Sequence, residues 1–144
     1  MRVFLDTNVL VAASEQTHPH HGPAFQAFLR VVARRDHGFI STHSIAETYA
    51  ALTRLPVQPR IHPTEAARVI ADNIVPNFQM VPIVQKDYLA ALKSVAEGGW
   101  SGAKIYDALI VGCAARSGAE RIYTFNLSDF QELAPNLRDR ICAP

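Results

Sequence analysis

The sequence predicts an α/β fold, a three-layer α/β/α sandwich around a mainly parallel central sheet, formed by one domain over residues 1–144. Three observations predict it. Short runs rich in β-branched and aromatic residues alternate with stretches of helical period. The segments between successive runs are long enough to carry the crossovers that parallel pairing needs. No repeat, low-complexity tract or linker divides the 144 residues, a length that suffices to bury one core.

The elements follow in order. Val3 to Leu5, extended to Arg2 at most, is a short buried strand. Asp6, Thr7 and Asn8 then interrupt an apolar run that Val9, Leu10 and Val11 prolong as though the strand continued. A carboxylate in such a place has to be paired, hydrogen-bonded, metal-bound or open to a cleft. His18 to Pro23 is a turn, and Pro23 suits the first turn of the next helix. That helix carries Ala24, Phe25, Phe28, Leu29 and Val32 at helical spacing, with Arg30, Arg34 and Arg35 as its solvated side. Gly38 to Ser41 is a second strand. Thr42 or Ser44 then caps a helix bearing Ile45, Tyr49, Leu52 and Leu55, which Pro56 ends.

Pro63-Thr64-Glu65 opens another helix, with Ala66, Val69, Ile70 and Ile74 as its stripe and Pro76 near its end. Met80 to Val84 is a strand or strand end, given Pro82. Tyr88, Leu89, Leu92 and Val95 belong to a helix closed by Gly98-Gly99. Trp100 to Lys104 is a loop, Ile105 to Ala115 a helix stopped by Gly118, and Arg121 to Phe125 the last clear strand. Ser128 and Gln131 have the spacing of a capping box for a short terminal helix, which gives Asp129 a structural role.

Composition narrows the function classes. The apolar fraction is 49% and the charged fraction 19%, below the roughly 25% of average domains. A partner covering part of the surface is consistent with that. A formal net charge of +1 announces no global field for nucleic acid, though a local rim remains open. Cys113 and Cys142 form no metal or redox motif and no disulfide framework, and Cys113 sits in an apolar helical run as a core residue. Asp6, Thr7 and Asn8 would fall inside the apolar stretch of any signal peptide, and no run approaches a membrane span. The expected location is the cytoplasm.

In parallel sheets ligands bind outside the carboxyl ends of the strands. Asp6 directly follows the first strand, Glu47 lies in the first turns of the helix after the second, Asp107 lies early in the helix before the last strand, and Asn126 follows that strand. Four polar positions distant in sequence thus have addresses at one end of the sheet. Gathered carboxylates repel unless a cation neutralises them, and hard oxygen ligands without His or Cys suit Mg²⁺ or Mn²⁺. Each residue also has a plain structural use. Glu47 can pair with Arg54, Asp107 can favour a helix N-terminus, and Asn126 can form a turn. His18, His20 and His21 lack zinc spacing and read as solvated loop residues. Trp100 and Lys104 either line the cleft or pack.

VFLDTNVLV, Glu47 in SIAETYAAL, Asp107 in KIYDALIVGCA and the ending RIYTFNLSDF together resemble the PIN-domain ribonucleases, and among them the VapC-type toxins of bacterial toxin–antitoxin pairs. The resemblance spans nearly the whole chain in order and spacing. It implies that Asp6, Glu47 and Asp107 form an acidic metal site for Mg²⁺, with Mn²⁺ as a substitute. The fourth acidic position of many members corresponds to Asn126 here. Thr7, Asn8 and Thr124 fall where the family often has supporting hydrogen-bonding residues. The implied activity is metal-dependent endonucleolytic cleavage of RNA that is single-stranded or looped. The implied partners are a small antitoxin that lays an amphipathic segment in a groove, and a second copy of the chain in a homodimer. Alternatives are a catalytically inert RNA- or partner-binding module and a haloacid-dehalogenase-like phosphatase. The phosphatase needs an aspartate where Asn8 stands.

Overall fold

The computed structural model describes residues 1–144. Strand β1 (Arg2–Leu5) runs through the middle of a five-stranded sheet whose other members are β2 (His37–Ser41), β3 (Phe78–Val81), β4 (Arg121–Tyr123) and β5 (Ile141–Cys142). All pairings are parallel, in the order β3-β2-β1-β4-β5. Val3, Phe4 and Leu5 are completely buried, because helices cover both faces of the sheet and leave it no solvent side. Each such side chain contributes roughly 1.5–3 kcal/mol by leaving water.

The pleat divides β1 between two cores. Val3 and Leu5 pack on one face with Val9 and Leu10 of α1 (Thr7–Ser14), Phe28 and Val31 of α2 (His21–Val32), and Ile70 and Ile74. Phe4 and Phe39 pack on the other with Ile110 and Cys113 of α6 (Lys104–Ser117) and Phe130 of α7 (Leu127–Leu133). A third, smaller cluster joins Val11 of α1, Leu52 of α3 (His43–Arg54) and Ala66 of α4 (Pro63–Val69). Helix α5 (Gln85–Glu97) completes the set, ending at Gly98 and the left-handed Gly99. Gly118 stops α6 in the same left-handed conformation.

Several sequence expectations are corrected. Val9 to Val11 do not continue the strand. Asp6 takes extended backbone and caps α1, and this helix is apolar all round because it is buried. β3 lies at Phe78–Val81 rather than Met80 to Val84, since Pro82 has no N–H to give to β2. β4 ends at Tyr123, and Thr124 and Phe125 turn toward the cleft instead. The α4 helix passes into a π-turn at Ile70–Ile74, a change of period that apolar spacing does not reveal. The short 3₁₀ segment Pro135–Arg140 and β5, just two residues long, were not expected.

Side-chain roles shift too. Thr42 holds the N-cap position of α3 without a capping bond; the Ser41 hydroxyl accepts from the His43 amide instead, and Ser44 is buried. The Ser128–Gln131 capping box does not form, because α7 already begins at Leu127 with Asn126 at its N-cap. Arg30 is no freely solvated side chain: its guanidinium grips Asp36 at 2.6 and 3.1 Å.

Candidate active site

The strand order reverses direction between β1 and β4, the place where an open parallel sheet leaves a crevice at its carboxyl edge. Asp6 stands at the end of β1 and Thr124 at the end of β4. The Asp6 amide extends the ladder by donating to the Tyr123 carbonyl at 2.9 Å. Its side chain is held from two directions. The Thr7 amide donates to Oδ1 and the Thr124 hydroxyl donates to Oδ2, each at 2.7 Å. Asp6 caps α1 with one oxygen and receives a hydroxyl from the neighbouring strand with the other.

The support extends outward. The Asn126 amide donates to Thr124 Oγ1 at 3.0 Å, and Asn8 Nδ2 approaches the same oxygen at 3.4 Å. Asn8 Oδ1 accepts from the Phe125 amide at 3.2 Å, so α1 and the turn after β4 are tied by both ends of one carboxamide. On the other side, Thr7 Oγ1 donates to Glu47 Oε1 at 3.2 Å and stands 3.0 Å from the buried Ser44 hydroxyl. Glu47 therefore turns to Thr7, and to His43 at 3.9 Å, rather than to Arg54.

Asp6, Thr7, Asn8, Glu47, Asp107 and Asn126 line one cleft of about 310 Å³. Val11, Ala51 and Ile110 are its apolar lining, and His18 and Tyr106 complete it. No lysine or arginine lines it. Three carboxylates therefore share the cleft without a basic partner there. Asp6 is only 6% exposed, and burial pushes its pKa up to about 6 against the pull of the Thr124 and Thr7 hydrogen bonds, with Asp107 and Glu47 adding repulsion. Burial also raises the pKa of Asp107, and Asp129 and Glu47 push it the same way against the pull of Lys104. Across the whole chain no three His, Cys, Asp or Glu side chains stand close enough to grip one ion as they are placed. Asp6 is turned to its hydroxyl donor and Glu47 to Thr7.

Asp129 lies outside this lining. It is engaged with Lys104 Nζ at 3.0 Å, and the same ammonium bonds Glu132, so the start of α6 is clamped to α7. Trp100 does not line the cleft either: it lies against Gly98, and Lys104 rests over its ring at 4.9 Å. The histidines are not merely solvated. His21 Nδ1 donates to the Ala12 carbonyl at 2.9 Å, His20 stacks on Phe125, and His18 faces the cleft. Sequence reasoning missed His18 and Tyr106. Tyr106 was findable as the neighbour of Asp107 in a first helical turn, whereas nothing in a loop motif pointed His18 inward.

Comparison with known proteins shows the family. The family described as PIN domain matches residues 3–135. Ribonuclease VapC40 of Mycobacterium tuberculosis is 33% identical over 122 residues, covering 85% of this chain and 84% of that protein. Ribonuclease VapC27 of the same organism is 30% identical over 116 residues, covering 81% and 79%. Among solved structures, the sarcin–ricin loop cleaving toxin VapC20 of M. tuberculosis superposes with a TM-score of 0.68 at 20% identity, covering 90% of this chain and 92% of that one. VapBC2 of Rickettsia felis, solved with a DNA fragment of its promoter, gives 0.62 at 19% identity, covering 91% and 92%. Both structures share the fold. With a match from the first strand to the segment after α7, and relatives at this identity over most of their length, the chain belongs to the PIN-domain family and, within it, to the VapC-type ribonucleases.

Proposed function

We propose that the protein is a metal-dependent endoribonuclease acting as the toxin of a toxin–antitoxin pair, with Mg²⁺ or Mn²⁺ held by Asp6, Glu47 and Asp107. The observation that carries this reading is the cleft itself: three carboxylates delivered by β1, α3 and α6, with no lysine or arginine among its lining residues. Such a donor set is all hard oxygen, the chemistry that suits these ions. When bound, a divalent ion supplies a more acidic water and neutralises charge on the phosphate and the leaving oxygen.

The chain's own groups do the positioning. Thr124 and the Thr7 amide fix the Asp6 carboxylate, while Thr7 fixes Glu47. Ligation of one ion by all three acids requires side chains to rearrange, which the partly exposed places of Glu47 and Asp107 allow. Asn126, at the mouth of the cleft, offers an amide to a water or phosphate without adding charge. Asp129, paired with Lys104, keeps α7 in place and stands outside the ligand set.

The antitoxin partner is supported by the relatives. VapBC2, which has this fold, is seen bound to a DNA fragment from its promoter. A groove between α2 and the end of α4 is lined by Phe25, Leu29, Val32 and Val69 and fits an amphipathic segment. A homodimer and a cytoplasmic location complete the reading. No helix is long and apolar enough to cross a membrane. The deciding experiment is sequencing of RNA ends after expression of wild type beside Asp6→Ala, with purified protein assayed in EDTA and after Mg²⁺ or Mn²⁺ is restored. A defined set of new ends that requires both Asp6 and the ion is expected; undiminished cleavage in excess EDTA refutes the metal mechanism.

A further inference from the structure

Two aromatic groups line the acidic cleft and are used by nothing described so far. Tyr106, in the first turn of α6, is 57% exposed, and its hydroxyl makes no hydrogen bond within the chain. His18 enters the same cleft from the segment between α1 and α2. The ring of His18 is fixed, because its Nδ1 accepts from the His20 amide at 3.1 Å, which leaves the proton of the neutral ring on Nε2. Behind it His20 lies 5.9 Å from His18 and stacks on Phe125 at 4.5 Å and 20°, so a short aromatic series runs from the turn after β4 to the cleft.

Charge defines what this rim can bind. With three carboxylates and no lysine or arginine among the lining residues, the cleft repels a phosphodiester in its ground state. The chain's lysines and arginines all lie outside this lining, and several are engaged elsewhere. Lys104 serves Asp129 and Glu132, and Arg116 serves Asp87. Arg30 serves Asp36, while Arg2, Arg34 and Arg35 gather at the opposite end of the sheet. Beyond what a bound ion supplies, the lining residues gain affinity for RNA from its bases. Stacking on aromatic side chains is the sequence-tolerant way to obtain it, and only unpaired bases offer their faces.

We infer that Tyr106 and His18 form a nucleobase-stacking rim, which restricts the substrate to RNA whose bases beside the cleaved bond are unstacked, in a single strand or loop. The inference rests on the ribonuclease reading and adds the residues that select the substrate. Phenylalanine preserves the function at either position, whereas leucine at 106 or alanine at 18 removes it.

The probe is a short single-stranded oligoribonucleotide carrying one 2-aminopurine, whose fluorescence is quenched on stacking, titrated with an Asp6→Asn chain that binds without cutting. Quenching on binding is expected, weakened about 5- to 100-fold by Tyr106→Leu and by His18→Ala and retained by Tyr106→Phe and His18→Phe. The same RNA in a duplex should not compete. The logarithm of affinity should fall with that of salt with a slope shallower than about −1.5, since few phosphates are neutralised. In the cleaving chain Tyr106→Leu should raise KM and leave kcat near its original value. An unchanged Kd for Tyr106→Leu, equal loss in Tyr106→Phe, or a change in particle mass by light scattering with Tyr106→Leu overturns the inference; the last outcome makes Tyr106 an interface residue. Quenched, Tyr106-dependent binding without metal-dependent cleavage retains the rim and refutes the ribonuclease. Cleavage with a Tyr106-independent Kd does the reverse.

Discussion

Replacing Asp6 by Asn should make the metal-free protein more stable while removing its activity. The carboxyl titrates near pH 6 in the folded chain, against an ordinary value of 3.8, chiefly because it is buried. Its charged form is therefore disfavoured in the fold by about two pKa units, roughly 3 kcal/mol at neutral pH. Asn removes the charge, keeps an acceptor for the Thr7 amide, and lets the Thr124 hydroxyl turn to accept from its NH₂. The gain, at most about 3 kcal/mol, corresponds to up to roughly 10 °C in Tm for a chain of this size. The folded pKa is raised, so the native state holds the extra proton between pH 4 and 6. Wild-type stability falls as pH rises through that window, and the advantage of Asp6→Asn should vanish below about pH 4. Thermal unfolding in EDTA across pH 4–8 measures this, and added Mg²⁺ should then stabilise wild type but not the variant. A variant no more stable than wild type at pH 7.5 in EDTA, or an advantage that persists undiminished at pH 4, refutes the reasoning.

Asn126→Asp should tighten Mg²⁺ binding in calorimetry, because a fourth carboxylate joins three that lack a basic partner, while Asn126→Ala should slow cleavage far less than Asp6→Ala or Asp107→Ala. Thr124→Val keeps the shape but withdraws the hydroxyl from Asp6 Oδ2 and leaves the Asn126 amide without its acceptor. Denaturant titration in Mg²⁺ should show a loss of about 1–3 kcal/mol, and the acidic limb of the cleavage pH profile should move upward, because that hydrogen bond holds the Asp6 pKa down. Asp129→Asn loosens the clamp to Lys104 and should lower Tm slightly with metal affinity unchanged; a loss of metal binding would instead make Asp129 the fourth ligand.

The parts of the fold that were legible are those where local chemistry and burial agree. Val3 to Leu5, Pro63 at the start of α4 and Gly118 after α6 each carry a signal that the tertiary structure leaves in force. The α2 stripe does so only in part, since Ala24 and Phe28 are buried with Ala27 and Val31 while Phe25, Leu29 and Val32 stay exposed. Legibility failed where tertiary contacts override local pattern. Val9 to Val11 read as a continued strand because they are apolar in succession, and only the Asp6 cap tells a buried helix from a buried strand there. β5 consists of Ile141 and Cys142 and exists because β4 offers a free edge, which no two-residue pattern can announce. The rule for strand ends places Asp6, Glu47, Asp107 and Asn126 at one end of the sheet, and all four line the same cleft. Asp129 was misplaced into a capping box because its partner Lys104 is 25 residues away, beyond any local motif.

The bond between Thr124 and Asp6 joins residues 118 apart. β1 is made long before β4, yet it is a central strand and β4 is its partner on one side. Until Arg121–Tyr123 dock, β1 has an open edge, Asp6 lacks its hydroxyl donor, and the turn that Asn8 binds does not exist. Growth at about 5–20 residues per second thus leaves β1, α3 and α6 made and the cleft unfinished until β4 emerges. Chain order works as a timer here: a truncated or stalled product carries all three acids without the strand that assembles them.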